Sequence, residues 1–403
     1  MMKNRVLHSL GLAGIALLAV FLPLLGQGTM NQEYSGLDKY LTQGIPNGKS
    51  FVGVRAAEFL TIPVGARGIA MGSAYSALAD DITSIWWNPA GLGFLEKNEV
   101  MLTVVDYTMN LTYSYAAAAV PILDGRLVLG GFFGYLDIPE MLITTIDNPN
   151  GTGRTFSAYD FQGGGSLAYN LSDRFVAGLN LKMVHQEVLS NIGGSAFAID
   201  AGSIYHTDFM GREIKFAFTI QNLGTNITMT GPNLLYESGP QTKDNLLPSG
   251  YEDYSTNPNA TSRRGGREVF MRTHTYRLPT IVKLALAYNL VTTEKANLVA
   301  SGELWKNSNI PISYSMGSEM TYSISPHLSG SLQVGWKVQT DEYTEASDDF
   351  GYEYLGDDPT WRGFSAGGGI KRDFGGRSIS FNYAYRNKGR LTADNFFTVT
   401  FGF

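Results

Sequence analysis

Two carboxylates and four lysines are the residues of this 403-residue chain best placed for acid–base chemistry. Glu303 and Glu319 fall on the polar side of alternating segments, and Lys182, Lys215, Lys283 and Lys337 project to the same side. A carboxylate pair in a dry interior can divide into a general acid and a general base. Lysines on the same face neutralise it instead, and the pattern reads as a structural ion-pair network. His185, His206, His274 and His327 stand in separate segments without metal-ligand spacing. Gly163–Gly165 and Gly367–Gly369 lie inside strand patterns, not between a strand and a helix, so they fail the phosphate-loop context. They read as sites of strand curvature or close packing. No Ser/His/Asp or Cys/His arrangement is visible. The expectation is a protein that is not an enzyme, with no catalytic residue, cofactor or metal.

The elements carrying these residues are short and alternate with period 2. Ile214, Phe216, Phe218 and Ile220 alternate with Lys215, Ala217, Thr219 and Gln221; Val282, Leu284, Leu286 and Tyr288 alternate with Lys283, Ala285, Ala287 and Asn289. Leu332, Val334, Trp336 and Val338, and Ile379, Phe381, Tyr383 and Tyr385, repeat the pattern. From residue 98 onward about fourteen such segments follow one another, an even number as in single-chain bacterial barrels. Short turns follow even-numbered segments, and the long connections (137–157, 223–276 and 339–359) follow odd-numbered ones. That parity suits an all-β transmembrane antiparallel β-barrel with both termini periplasmic and long loops outside. A soluble sandwich has no reason to sort its loops so. On this reading the apolar face meets lipid and the polar face lines the lumen.

The ends of the chain fit the same class. Phe397, Val399, Phe401 and Phe403 share one face of the last segment, an adhesive edge unless that strand closes a barrel. Phe401 and Phe403 are therefore read as a barrel-assembly signal. Lys3 and Arg5 precede an apolar run from Leu10 to Leu25, followed by Gly26-Gln27-Gly28, a secretory signal pattern spanning 1–28. The 47 glycines exceed ordinary usage and suit closely spaced strands. A net charge of −6 argues against nucleic-acid binding, and the absence of cysteine suits a route through an oxidising compartment.

Residues 51–97 do not alternate. Gly65, Gly68 and Gly72 permit close turns, Asp80 or Asp81 could cap a helical turn, and Pro89 keeps Asn88 extended. Trp86 and Trp87 are large enough to anchor the segment. The expected organisation is a signal peptide at 1–28, a linker and plug at 29–97, and a barrel at 98–403. Asp80-Asp81 followed by Trp87-Asn88-Pro89-Ala90-Gly91-Leu92, directly ahead of the first strand, resembles the hatch motif of FadL-type barrels. Phe59-Leu60-Thr61-Ile62 and Ala66-Arg67-Gly68-Ile69-Ala70-Met71-Gly72 resemble the PorV/PorQ branch more specifically. The resemblance implies a fourteen-stranded, plugged barrel of the bacterial outer membrane, in contact with outer-membrane lipid. Its PorV/PorQ form implies a part in type IX protein secretion: binding secreted cargo proteins by their C-terminal signal domain and meeting translocon or attachment components. Its FadL form implies a channel for a hydrophobic small molecule. The lumen faces of the clearest strands carry Lys, Ser, Asn and Gln, which favours the first. The arginines of one long loop (Arg263, Arg264, Arg267 and Arg272) and the carboxylates of another (Asp341, Glu342, Glu345, Asp348, Asp349, Asp357 and Asp358) read as solvated loop charge or as an external recognition surface. The carboxylates lack EF-hand spacing.

Overall fold

A computed structural model describes residues 55–144, 147–189, 191–238, 267–270, 273–308, 312–339, 362–389 and 393–403. Fourteen antiparallel strands close into a single barrel, each hydrogen-bonded to its sequence neighbours. In order they are β1 (Glu99–Tyr107), β2 (Leu111–Ile122), β3 (Leu127–Leu142), β4 (Thr155–Ser172), β5 (Phe175–Leu189), β6 (Ile192–Phe209) and β7 (Arg212–Gly224). The second half runs β8 (Ile281–Thr292), β9 (Ala296–Asn307), β10 (Ser313–Ser325), β11 (Leu328–Gln339), β12 (Phe364–Asp373), β13 (Ser378–Asn387) and β14 (Ala393–Gly402). The last strand pairs with the first, Glu99 opposite Gly402 and Val105 opposite Phe396, so no sheet edge is left open.

Period-2 alternation decides which face each side chain takes. Phe397, Val399, Phe401 and Phe403 stand on the outer surface, whereas Phe396 and Thr398 are buried inside. Leu284, Leu286, Phe381 and Tyr383 are likewise outside, and Lys283 and Ala285 inside. Every connection that follows an even-numbered strand is short; the long ones, 143–154, 225–280 and 340–363, follow β3, β7 and β11. Within the second of these, Ile227–Thr228 pairs with Thr275–Tyr276, and Leu235–Ser238 pairs with Arg267–Phe270. The signal pattern at 1–28, Arg263, Arg264, Arg272 and the carboxylates from Asp341 to Asp358 lie outside the described residues.

One strand breaks the alternation where it matters. Between β6 and β7 the register slips, so that Gln221 and Asn222 together oppose Asp200. Asn222 takes a left-handed backbone (φ 61°), and both side chains turn inward while Leu223 turns out. This bulge supplies two adjacent polar groups to the lumen where a regular strand would supply one.

The segment before β1 fills the lumen. It contains a 3-10 turn (Glu58–Thr61), the short helices α1 (Ala66–Ala70) and α2 (Ser84–Trp87), and a second 3-10 turn (Pro89–Phe94). Its described part starts at the long-connection end, where Ala56 N–H donates to the Arg277 carbonyl and Arg55 donates to those of Leu278 and Ser308. It leaves at the other end, where Asn170 donates to the Gly93 carbonyl and Leu95 leads into β1. The plug thus threads the barrel from end to end. Arg55 lies at the mouth opposite Phe403, while the two ends of the barrel, Glu99 and Gly402, meet at one mouth; residues 1–54 lie outside the described residues.

Candidate functional site: the plugged lumen

The plug meets two unlike walls. Along β1–β5 the inward apolar side chains Val105, Tyr113, Tyr115, Phe132, Leu136 and Val184 are buried in one cluster with Phe59, Leu60, Ile62 and Ile85 of the plug, while β4 and β5 also turn the polar Asp160, Gln162, Ser166, Asn180 and Lys182 inward. The rings of Phe59 and Tyr113 meet edge-on at 6.3 Å, and Tyr115 stacks on Phe132 at 5.8 Å. These offset and edge arrangements are the favourable ones for aromatic pairs. Toward the short-turn end the same wall continues through Ala117, Ala119 and Val128. The expected polar lumen is therefore half right. It was read from strands whose faces contrast; β2 and β3 carry Ala, Val, Leu and Phe on the outer face too, so alternation does not single out their lumen side.

Along β8–β14 the charged and polar anchors Lys283, Glu303, Glu319 and Gln333 stand among buried apolar side chains such as Val299, Trp305 and Phe396. Arg67 of α1 makes a bidentate pair with Glu319 (Nε–Oε2 and Nη2–Oε1 both 2.7 Å), the geometry in which guanidinium and carboxylate match best. Its remaining nitrogen reaches Asp80 (2.6 Å), the Tyr75 hydroxyl (2.9 Å) and Asp81 (3.2 Å). Gln333 donates to the same Glu319. One cation thus ties two separate turns of the plug to the wall. Desolvation by the enclosing wall pushes the Asp80 carboxyl up, but Arg67, with Lys215 and Lys371, more than offsets it and holds the pKa below the ordinary value. Neither aspartate is the N-cap of α2, which is Thr83 without a side-chain cap bond; the Asp81 carboxylate accepts from the Thr83 amide at 2.9 Å and from the Thr83 hydroxyl.

Around Trp87-Asn88-Pro89 the wall supplies the hydrogen bonds that a short helix leaves unmet. The carbonyls ending α2 are orphaned by geometry. Asn180 donates to that of Ile85 (2.8 Å), Gln221 of the bulge to that of Trp86, and Ser76 to that of Trp87 (3.3 Å). Lys283 stands 3.5 Å from the Trp87 carbonyl and over the rings of Trp86 and Trp305 at 4.5 and 4.1 Å. Lys337 lies 3.5 Å from the Trp305 centroid. Glu303 accepts from the backbone N–H groups of Tyr75 (3.0 Å) and Ser76 (2.8 Å) and from the Ser76 hydroxyl (2.8 Å). Lys182 pairs with Asp200 at 2.8 Å, while Asn222 also bonds both. Glu303 and Glu319 therefore hold different parts of the plug and do not act as a pair.

Asn88 is extended (φ −160°), as Pro89 requires, and fully buried. Its amide donates to the carbonyls of Ser76 (3.0 Å) and Ser203 (3.3 Å), and its oxygen accepts from Ala90 N–H. The facing wall has Gly178 against Pro89 and Gly202 against Asn88, and a Cβ at either position would overlap the turn. Sequence reading named Asp80, Asp81, Trp87, Asn88 and Pro89; the last three contact the wall, whereas the two aspartates bond Arg67 within the plug. It missed Arg67 as the hub and Tyr113, Tyr115 and Phe132 as the apolar wall. Elsewhere, His206 faces Glu213 at 3.4 Å and His185 bonds Ser195. No group of three or more potential metal ligands occurs among the described residues.

No family model matches the chain, and no curated protein matches it. A deltaS2 mutant of the TodX monoaromatic hydrocarbon channel is similar over 84% of this chain and 98% of its own, with a TM-score of 0.50 and 12% identity. The toluene transporter TbuX of Ralstonia pickettii matches 84% of this chain and 97% of its own (TM-score 0.49, 11% identity). A FadL homologue of Pseudomonas aeruginosa matches 84% and 98% (TM-score 0.45, 13% identity). At such identities the likeness is one of fold.

Proposed function

We propose that this chain is a bacterial outer-membrane channel for small apolar molecules, its passage lying along the β1–β5 wall and its gate being the plug. The observation that carries this reading is the apolar half of the lumen. It runs from Tyr113 and Leu136 near the long-connection end to Val128 near the other, and Phe59, Leu60, Ile62 and Ile85 fill it. The fold shared with the TodX channel, which that protein uses for monoaromatic hydrocarbons, points the same way.

The PorV/PorQ-like residues Phe59–Ile62 and Ala66–Gly72 support a second reading. Here the charged socket fixes the plug permanently, and the long connections present a surface to secreted proteins in type IX secretion. One experiment separates the two: gentle detergent extraction of the tagged protein, with mass spectrometry of co-purified proteins and small molecules. Apolar small molecules without protein cargo support the channel. Secreted proteins sharing one C-terminal domain overturn it in favour of cargo handling.

A further inference from the structure

The plug presses one aromatic ring into the apolar wall, and a buried acid stands beside it. Tyr113, Leu136, Asp160 and Gln186 are directly opposed across β2, β3, β4 and β5, forming one row of the inner wall. The plug crosses this row: Ala57 N–H donates to Gln186 Oε1 (3.0 Å), and the Phe59 ring rests edge-on against Tyr113. Asp160 lies between those two contacts and is 4% exposed. Its Oδ2 accepts from Gln186 Nε2 at 3.2 Å, whereas Oδ1 is buried without a hydrogen-bond partner. A buried carboxylate oxygen without a donor is costly, and nothing in holding the plug uses it.

We propose that the slot filled by the Phe59 ring is a binding site for small aromatic molecules bearing an O–H or N–H donor, with Asp160 Oδ1 as the acceptor. Phe59 then acts as a built-in competitor: its ring takes the ligand's place against Tyr113, and its phenyl edge offers Asp160 no donor. The slot would select phenol-like or aniline-like compounds over plain hydrocarbons of the same shape. This inference rests on the apolar-passage reading and sharpens it to a ligand class.

The test compares p-cresol with toluene, which differ by one hydroxyl. Binding is measured calorimetrically on the full chain in lipid nanodiscs, with empty nanodiscs subtracted. The expected result is about tenfold tighter binding of p-cresol, the size of one buried hydrogen bond. Asp160→Leu should erase that preference and leave toluene unchanged, and Phe59→Ala should tighten both ligands. Equal affinities in the wild type, or a preference that survives Asp160→Leu, would overturn the assignment to Asp160. Should Asp160→Leu fail to fold, the wild-type comparison still decides. Binding of neither ligand, even to Phe59→Ala, would overturn the apolar-passage reading as well.

Discussion

The two halves of the lumen hold the same plug by opposite physics. The β8–β14 half uses directed bonds: Arg67 on Glu319, Glu303 on two plug amides, Lys283 over the tryptophans. Such contacts fix one geometry and are lost almost entirely when a partner shifts by an ångström or two. The β1–β5 half uses area: Phe59, Leu60 and Ile62 against Tyr113, Tyr115 and Leu136. Area is nearly indifferent to sliding, and another apolar body can replace it at little loss. The two kinds of contact should therefore fail differently when a side chain is removed.

The largest effect is expected from removing the Arg67 clamp. Arg67→Met leaves Glu319, Asp80 and Asp81 without their shared cation, and an uncompensated buried charge costs about 3–5 kcal/mol. The whole of residues 56–97 should become sensitive to protease in the folded barrel, and the heat-modifiable form should melt at lower temperature. If the protease pattern stays as in the wild type, the charged half is not what holds the plug. Phe59→Ala attacks the other half, at about 3 kcal/mol if the vacated slot stays empty. Cleavage should then appear only near residues 56–64, with the Arg67 clamp intact. Equal loosening from both variants would abolish the distinction between the halves.

Much of this architecture is written in the chain as contrast between faces. Strands such as β8 and β13, with Leu284 and Leu286 or Phe381 and Tyr383 outside and lysine or asparagine inside, announce both their existence and their orientation. The same logic places Phe401 and Phe403 on the outer surface, and the turn at Asn88-Pro89 follows from proline's fixed backbone. Where both faces are apolar the signal fades. In β2 the inward tyrosines are followed by Ala116–Ala119 on alternating sides, and period 2 without polarity contrast does not say which side is in. The bulge at Asn222 is invisible because one inserted residue alters no composition. Arg67 sits in a quoted motif, yet its partner Glu319 is 252 positions away, and only barrel closure brings them together.

Smaller perturbations sharpen the comparison within the charged half. Gly202→Ala places a methyl group into the space of the Asn88 side chain, and overpacking of this kind costs about 1–3 kcal/mol. It should lower the melting temperature of the folded barrel less than Arg67→Met does. A wild-type melting temperature in Gly202→Ala would mean the turn is not seated against β6. The smallest effect is expected from acid. The Asp80 pKa is depressed in the folded protein chiefly by Arg67, against desolvation. Its contribution is therefore present above the ordinary carboxylate pKa of about 3.9 and disappears as pH falls through the lower, folded value. The side chain keeps 42% of its surface open, so solvent screens the interaction and the change is modest. Melting followed by tryptophan fluorescence should show a shallow fall in stability below about pH 4 that is weaker in Asp80→Asn. An identical acid limb in Asp80→Asn would assign that loss to carboxylates other than Asp80, leaving Glu319 as the principal anchor of Arg67.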